Sequence, residues 1–245
     1  MEIKESQYNF SEMHQRMQFY VDAGILPCCA TAVFKGTDLV DHQTFGFMDL
    51  ETREPLRDDA IYRMASNTKL VTSVALMMLQ EEGLFDLDDP LAKFIPEFGD
   101  LQVLQPDATT AADVHPAKNL ISIRHLLSHS AGLSYGFVEP DSVIDQCYLN
   151  GGVNGLGEKD IDLEELCAGI AKLPLAFEPG TSWRYSFATD VCARLVEVLS
   201  GQSFDAFLRQ RIFDPLGMVD TDFWVPQEKA HRLITMYSPE DLFDP

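Results

Sequence analysis

Two β-like runs stand near the start of this 245-residue chain, and almost none follow. Cys28 to Lys35 and Leu39 to Phe47 flank Gly36-Thr37, a turn signal, and together they predict a hairpin. An isolated hairpin is at best marginally stable in water. The chain therefore either builds a mostly helical fold with a small β flap, or its remaining strands lie outside these 245 residues. Helical signals dominate the rest. Gln7 to Ala23 carries interspersed Phe10, Met13, Met17, Phe19 and Tyr20. Ser66 to Glu82 reads as an apolar helix closed by Gly83, and a further helix starts near Ser122 and ends before Gly132. Asp162-Leu-Glu-Glu165 is a capping-box-like start for a helix reaching Lys172 and stopped by Pro174. Ser186 to Ser200 is closed by Gly201, and Ser203 caps a short helix that ends before Pro215. Asp49 to Asp59, Gln102 to Pro116 and Glu139 to Gly157 read as loops. The last contains Gly151-Gly152-Val-Asn-Gly155-Leu-Gly157, which follows no strand and lacks the Gly-Lys-Ser/Thr of a phosphate loop, so it predicts a surface loop.

Charge narrows the partners. Lys+Arg number 18 against 39 Asp+Glu, a net −21 at pH 7, which argues against binding nucleic-acid phosphates and against docking on anionic membranes. The start, Met-Glu-Ile-Lys-Glu-Ser-Gln, has no apolar signal-peptide core, and the apolar run Leu70 to Leu79 is too short to span a bilayer. Five cysteines with no C-x-x-C spacing read as reduced thiols. These features together predict a cytoplasmic protein.

Several chemistries are disfavoured by spacing. His125-Leu-Leu-Ser-His129 lacks the Glu that follows the first His of a zinc protease, so these histidines read as loop-holding groups that hydrogen-bond backbone. Gly180-Thr-Ser182-Trp-Arg184 ends in Arg where a nucleophile elbow needs Gly. No metal or cofactor is called for. The informative stretch is Ser66-Asn-Thr-Lys69. With a helix beginning at Ser66, the two side chains share one face within a turn. A serine hydroxyl becomes a nucleophile only when a neighbour takes its proton. A lysine does this in its neutral form, which burial and the positive helix end both favour. The same helix end offers the Ser66 backbone N–H as an oxyanion donor.

Beyond that motif the chain resembles the serine hydrolase superfamily of class C β-lactamases, DD-peptidases and β-lactamase-like esterases. Gly83-Leu-Phe-Asp-Leu-Asp-Asp-Pro90 and Phe94-Ile-Pro-Glu-Phe98 are similar to the segment after that family's nucleophile helix. Ile121-Ser-Ile-Arg-His-Leu-Leu-Ser-His-Ser-Ala-Gly-Leu133 resembles its helix-loop signature, and Phe177-Glu-Pro-Gly180, Trp183-Arg-Tyr185-Ser186 and Ile212-Phe-Asp-Pro-Leu-Gly-Met218 resemble later markers. The resemblance covers residues 10 to 237 and adds Tyr185 as a third catalytic residue, relaying a proton between Ser66 and the leaving group. A tyrosine that titrates near its usual value of about 10 needs a nearby ammonium for this.

Two departures matter. Phe187 stands where the family's Tyr-x-Asn motif has the Asn that holds a lactam amide, which favours the esterase branch. The late strand with its Lys-Thr-Gly, His-x-Gly or Trp-x-Gly motif, source of a second oxyanion donor, has no counterpart before Pro245. The resemblance thus implies one β-lactamase-like (DD-peptidase-like) domain over 1–245, α+β or α/β in class. It is dominated by its helical region, has an incomplete antiparallel sheet and is apparently truncated at the C-terminus. Residues 1–65 supply a helix and strands, and 66–220 are mostly helical. The implied activity is that of a carboxylesterase acting through an acyl-enzyme on Ser66, with Lys69 and Tyr185 as acid and base and a small-molecule ester as substrate. β-Lactamase or DD-peptidase activity is one alternative. A non-catalytic fragment needing the missing strands or a partner chain is another. The incomplete sheet offers a route to a homo-oligomer. Asp190 is read as supporting the local helix start or a base, and Tyr135, Phe137 and Trp183 as neighbours of the site.

Overall fold

A computed structural model describes residues 3–4, 8–153 and 161–238. It contains two compact units, Met1–Met64 with Asp222–Pro245, and Ala65–Thr221.

In the first unit, helix α1 (Ser11–Asp22) precedes strands β1 (Cys28–Lys35) and β2 (Asp38–Gly46). The strands pair antiparallel from Cys28↔Gly46 to Lys35↔Asp38, with an irregularity between Val33 and Phe34, and the Gly36-Thr37 turn falls where the sequence places it. α1 lies against β2, and His14 Nε2 meets Asp41 Oδ2 at 2.9 Å. The chain returns to this unit late. Ile61 bridges Leu233 in parallel, Thr235 Oγ1 donates to Asp49 Oδ2 at 2.8 Å, and the Leu50 amide donates to Tyr237 Oη at 2.7 Å.

The second unit is built on α2 (Thr68–Glu81) packed against α6 (Ala188–Ser200). Leu76 and Leu79 of α2 and Val191, Leu195 and Val196 of α6 are buried together in its core. Each helix presents an apolar stripe at helical spacing, which is what lets the two faces meet. α3 (Ile123–Leu127), α5 (Leu163–Ile170) and α7 (Phe204–Leu208) flank α6. Asp162 caps α5 by accepting from the Glu165 amide at 2.8 Å, and Gly201 closes α6 in the left-handed conformation, φ 69°.

Several boundaries differ from the sequence reading. The Gln102 to Pro116 loop contains strands β3 (Gln102–Leu104) and β4 (Val114–Pro116), with Leu175 bridging Val103 on β3. Three-residue strands are too short to show a period. The Glu139 loop contains helix α4 (Val143–Asn150), capped by Ser142; positions 154–157 of the glycine-rich stretch lie outside the described residues. Ser66 is not in α2. It sits in a one-turn 3-10 segment, Ala65–Asn67, that leads into α2. α3 stops at Leu127, and α6 starts at Ala188, not Ser186. Ser203 makes no side-chain cap. The Phe204 amide donates instead to Glu197 at 3.0 Å, and a π-helical turn, Arg209–Phe213, follows α7. The antiparallel sheet is two separate two-stranded sheets among the described residues. In the same residues no helix is long and apolar enough to cross a membrane.

Candidate active site

Ser66 lies where the chain turns into α2. The preceding Ala65 has φ 42°, a left-handed conformation that costs an alanine about 1–2 kcal/mol. Strain of this kind persists only where surrounding contacts enforce it. The turn leaves Ser66 exposed ahead of α2, with Lys69 in the first helical turn. Lys69 Nζ donates to Ser66 Oγ at 3.4 Å.

Tyr185 comes from a different segment, and backbone pairing sets its place. The Gly180 amide donates to the Ser130 carbonyl at 2.9 Å, the Arg184 amide to that of His129 at 2.9 Å, and the Phe187 amide to that of Ser134 at 3.3 Å. Gly132 makes this approach possible. Its φ is 85°, and a Cβ there would lie 2.4 Å from the Phe177 carbonyl oxygen. Side chains tighten the same region. Arg184 donates to Ser134 Oγ (2.7 Å), Glu139 (2.7 Å) and the fully buried Asp145 (3.0 Å). Asp145 also accepts from the Ser134 hydroxyl and, at 2.6 Å, from the Glu139 amide.

Held this way, Tyr185 Oη lies 2.6 Å from Ser66 Oγ, and Lys69 Nζ lies 4.7 Å from the centre of the Tyr185 ring. The structure thus brings together Ser66, Lys69 and Tyr185. Burial pushes the Tyr185 phenol up, but hydrogen bonds with Lys69 and Ser66 and the Lys69 charge outweigh it, and the phenol titrates below its ordinary value. The sequence reading gave less weight to three neighbours. The Tyr135 ring sits 5.3 Å from that of Tyr185 and 5.6 Å from Lys69 Nζ, and its hydroxyl donates to Asp190 at 3.4 Å. The His129 ring is 5.0 Å from Tyr185, with Nδ1 3.3 Å from Ser186 Oγ. Burial and the Lys69 charge hold His129 below the usual imidazole value. The available signal for Tyr135 and His129 was their place inside or beside the helix-loop motif. Phe137 stacks on Tyr135, while Trp183 stands edge-on to His129 and exposed.

His125 lies apart from this chemistry and completes a capping box on α3, its Nδ1 accepting from the Ser122 amide at 3.2 Å. Phe187 is buried against Tyr135, with ring centres 4.3 Å apart. Among the described residues no group of three His, Cys, Asp or Glu side chains is placed to hold a metal ion.

A serine, a lysine and a tyrosine thus converge at the start of the first core helix. The chain belongs to the Beta-lactamase family, whose model matches residues 13–244. It is 35% identical over 179 residues to Esterase EstB of Burkholderia gladioli, covering 73% of this chain and 42% of that protein. It is 34% identical over 192 residues to lovastatin esterase of Penicillium rubens, covering 77% of this chain and 46% of that one. Among solved structures, EstCE1, a hydrolase with promiscuous acyltransferase activity, superposes with a TM-score of 0.79 at 26% identity, over 93% of this chain and 56% of that one. The chain spans about half the length of the curated relatives it matches. Its fold is the β-lactamase-like, DD-peptidase-like one, mixing helices with small sheets.

Proposed function

We propose that this chain carries the nucleophile half of a serine carboxylesterase that works through an acyl-enzyme. The observation that carries the reading is the 2.6 Å contact between Ser66 Oγ and Tyr185 Oη with Lys69 Nζ 3.4 Å from the same oxygen. Ser66 Oγ attacks the ester carbonyl carbon while its proton passes to Tyr185 Oη. The tetrahedral intermediate collapses, the C–O bond to the alcohol breaks, and the leaving oxygen takes the proton back from Tyr185. Water repeats the sequence on acyl-Ser66 and releases the acid. The sequence reading gave the first proton to Lys69. The shorter contact and the lowered phenol favour Tyr185, with the Lys69 ammonium stabilising the phenolate. A positioned base of this kind contributes about 10²–10⁴-fold in rate.

The esterase relatives support an ester substrate, and so does the apolar Phe187 at the family's amide-holding position. The test is labelling with a fluorophosphonate, mapped by peptide mass, together with hydrolysis of short-chain p-nitrophenyl esters. The expected result is label on Ser66 and none in Ser66→Ala. A well-folded chain that takes no label would refute catalysis by these residues. Turnover of a chromogenic cephalosporin much faster than of the esters would favour the lactamase alternative.

A further inference from the structure

Lys69 and Asp190 are opposite charges, each partly buried, on the first turns of two helices that pack together, α2 and α6. Among the described residues neither makes a direct ion pair. A charge in a sheltered site needs a partner. Tyr135 neighbours both, its hydroxyl 3.4 Å from Asp190 Oδ2 and its ring centre 5.6 Å from Lys69 Nζ.

We propose that Asp190 is a positioning residue: its carboxylate is the counter-charge that keeps the Lys69 ammonium beside Ser66 and Tyr185, with the Tyr135 side chain in contact with both. This rests on the reading that Lys69 and Tyr185 serve Ser66. Electrostatics agree with the geometry. Burial holds the Asp190 carboxyl above its ordinary value, and the Lys69 charge, its own backbone amide and the Tyr135 hydroxyl offset that rise only in part, the Lys69 charge most. The groups facing Asp190 are Lys69 from α2, Tyr135 from the segment after α3, Tyr185 ahead of α6, Cys167 from α5 and Cys192 from α6 itself. Burial holds Tyr135 and both thiols well above their ordinary values, so these three stay neutral near pH 7. Lys69 is then the cation that answers Asp190. A different role is open to an acid in the first turn of α6, namely favourable interaction with the helix N-terminus. That role does not involve Lys69, which gives the two an experimental separation.

The measurement is the titration of the Asp190 side-chain carbon by ¹³C NMR in the full chain, in wild type, Lys69→Met and Lys69→Gln. Removing the cation should raise the Asp190 midpoint by about half a pH unit or more in both variants. Tyr135→Phe, which removes the hydroxyl donor, should raise it as well. An Asp190 midpoint that stays put in folded Lys69→Met and Lys69→Gln would overturn the assignment and leave only the helix-end role. The functional counterpart is Asp190→Asn, which keeps an acceptor for Tyr135 and removes the charge. The alkaline limb of Ser66 labelling against pH should move to lower pH there, and Asp190→Glu should restore part of it. Failure of wild-type labelling would count against the esterase reading. The carboxyl titration decides the role of Asp190 without any turnover.

Discussion

Replacing Arg184 by methionine keeps the aliphatic stem and removes three charge-assisted hydrogen bonds, to Ser134, Glu139 and Asp145. Their contributions are unequal. Glu139 is 64% exposed, so its pair lies in high dielectric and contributes little. The Asp145 side chain is 0% exposed, and no bulk water replaces the lost guanidinium. Breaking a buried pair by removing one partner costs about 3–5 kcal/mol, because the other charge is left uncompensated. Asp145 retains the Ser134 hydroxyl and the Glu139 amide, which places the expected loss at the lower end, about 3 kcal/mol at pH 7. The pH dependence has a definite sign. Burial pushes the Asp145 carboxyl up, but its three donors and the Arg184 charge outweigh this, so it sits below the usual carboxylate value in the folded state. A depressed folded value means stability that is present above the unfolded value of about 3.9 and is lost as pH falls through the folded one. Without Arg184 that depression shrinks, so the gap between wild type and Arg184→Met should narrow in acid. Urea unfolding followed by far-UV circular dichroism, at pH 7 and in the acid range, measures both. Asp145→Asn added to Arg184→Met should cost less than the sum of the single changes by about 1–3 kcal/mol. A loss below about 1 kcal/mol at pH 7, or a gap that widens in acid, would refute the account of this network as a buried ion pair.

Other consequences are open to direct measurement. Tyr185→Phe should lower kcat of ester hydrolysis by about 10²–10⁴-fold with KM changed only a few-fold, read from steady-state kinetics. Gly132→Ala forces a Cβ to within 2.4 Å of a carbonyl and strains φ, whereas Gly201→Ala strains φ in open space. Thermal unfolding should therefore show a cost of about 1 kcal/mol for Gly201→Ala and clearly more for Gly132→Ala. The His129 imidazole should stay neutral at pH 7, with an NMR midpoint below the free value that rises when Lys69 is replaced by methionine.

The sequence marked the elements that carry their own punctuation. Asp162, Gly201 and the Gly36-Thr37 turn sit where local chemistry placed them. α4 escaped notice because one of its inward-facing residues is Asp145, whose burial depends on an arginine 39 positions away, so the segment reads as polar. The 3-10 turn at Ser66 was hidden for a different reason. Local propensity describes the helix, whereas the left-handed φ of Ala65 just before it is a conformation that no propensity of alanine favours. For the site, Ser66 and Lys69 are linked by a spacing that any reader of the chain can see. Tyr185 meets Ser66 across 119 positions, and only the resemblance could join them. The Tyr135–Asp190 contact spans 55 positions and follows no motif, so it became visible only in three dimensions.

The late return of the chain to Ile61, Asp49 and Leu50 makes the first unit discontinuous, with the second inserted inside it. The contacts that complete the outer unit join residues as many as 187 positions apart, whereas the inner unit is contiguous. On a ribosome, residues 65–221 emerge before the segment that seals the hairpin unit, so the inserted helices have the opportunity to consolidate first. Completing the first unit then means joining residues up to 187 positions apart across an insert that is already compact, so the hairpin unit is expected to finish folding last.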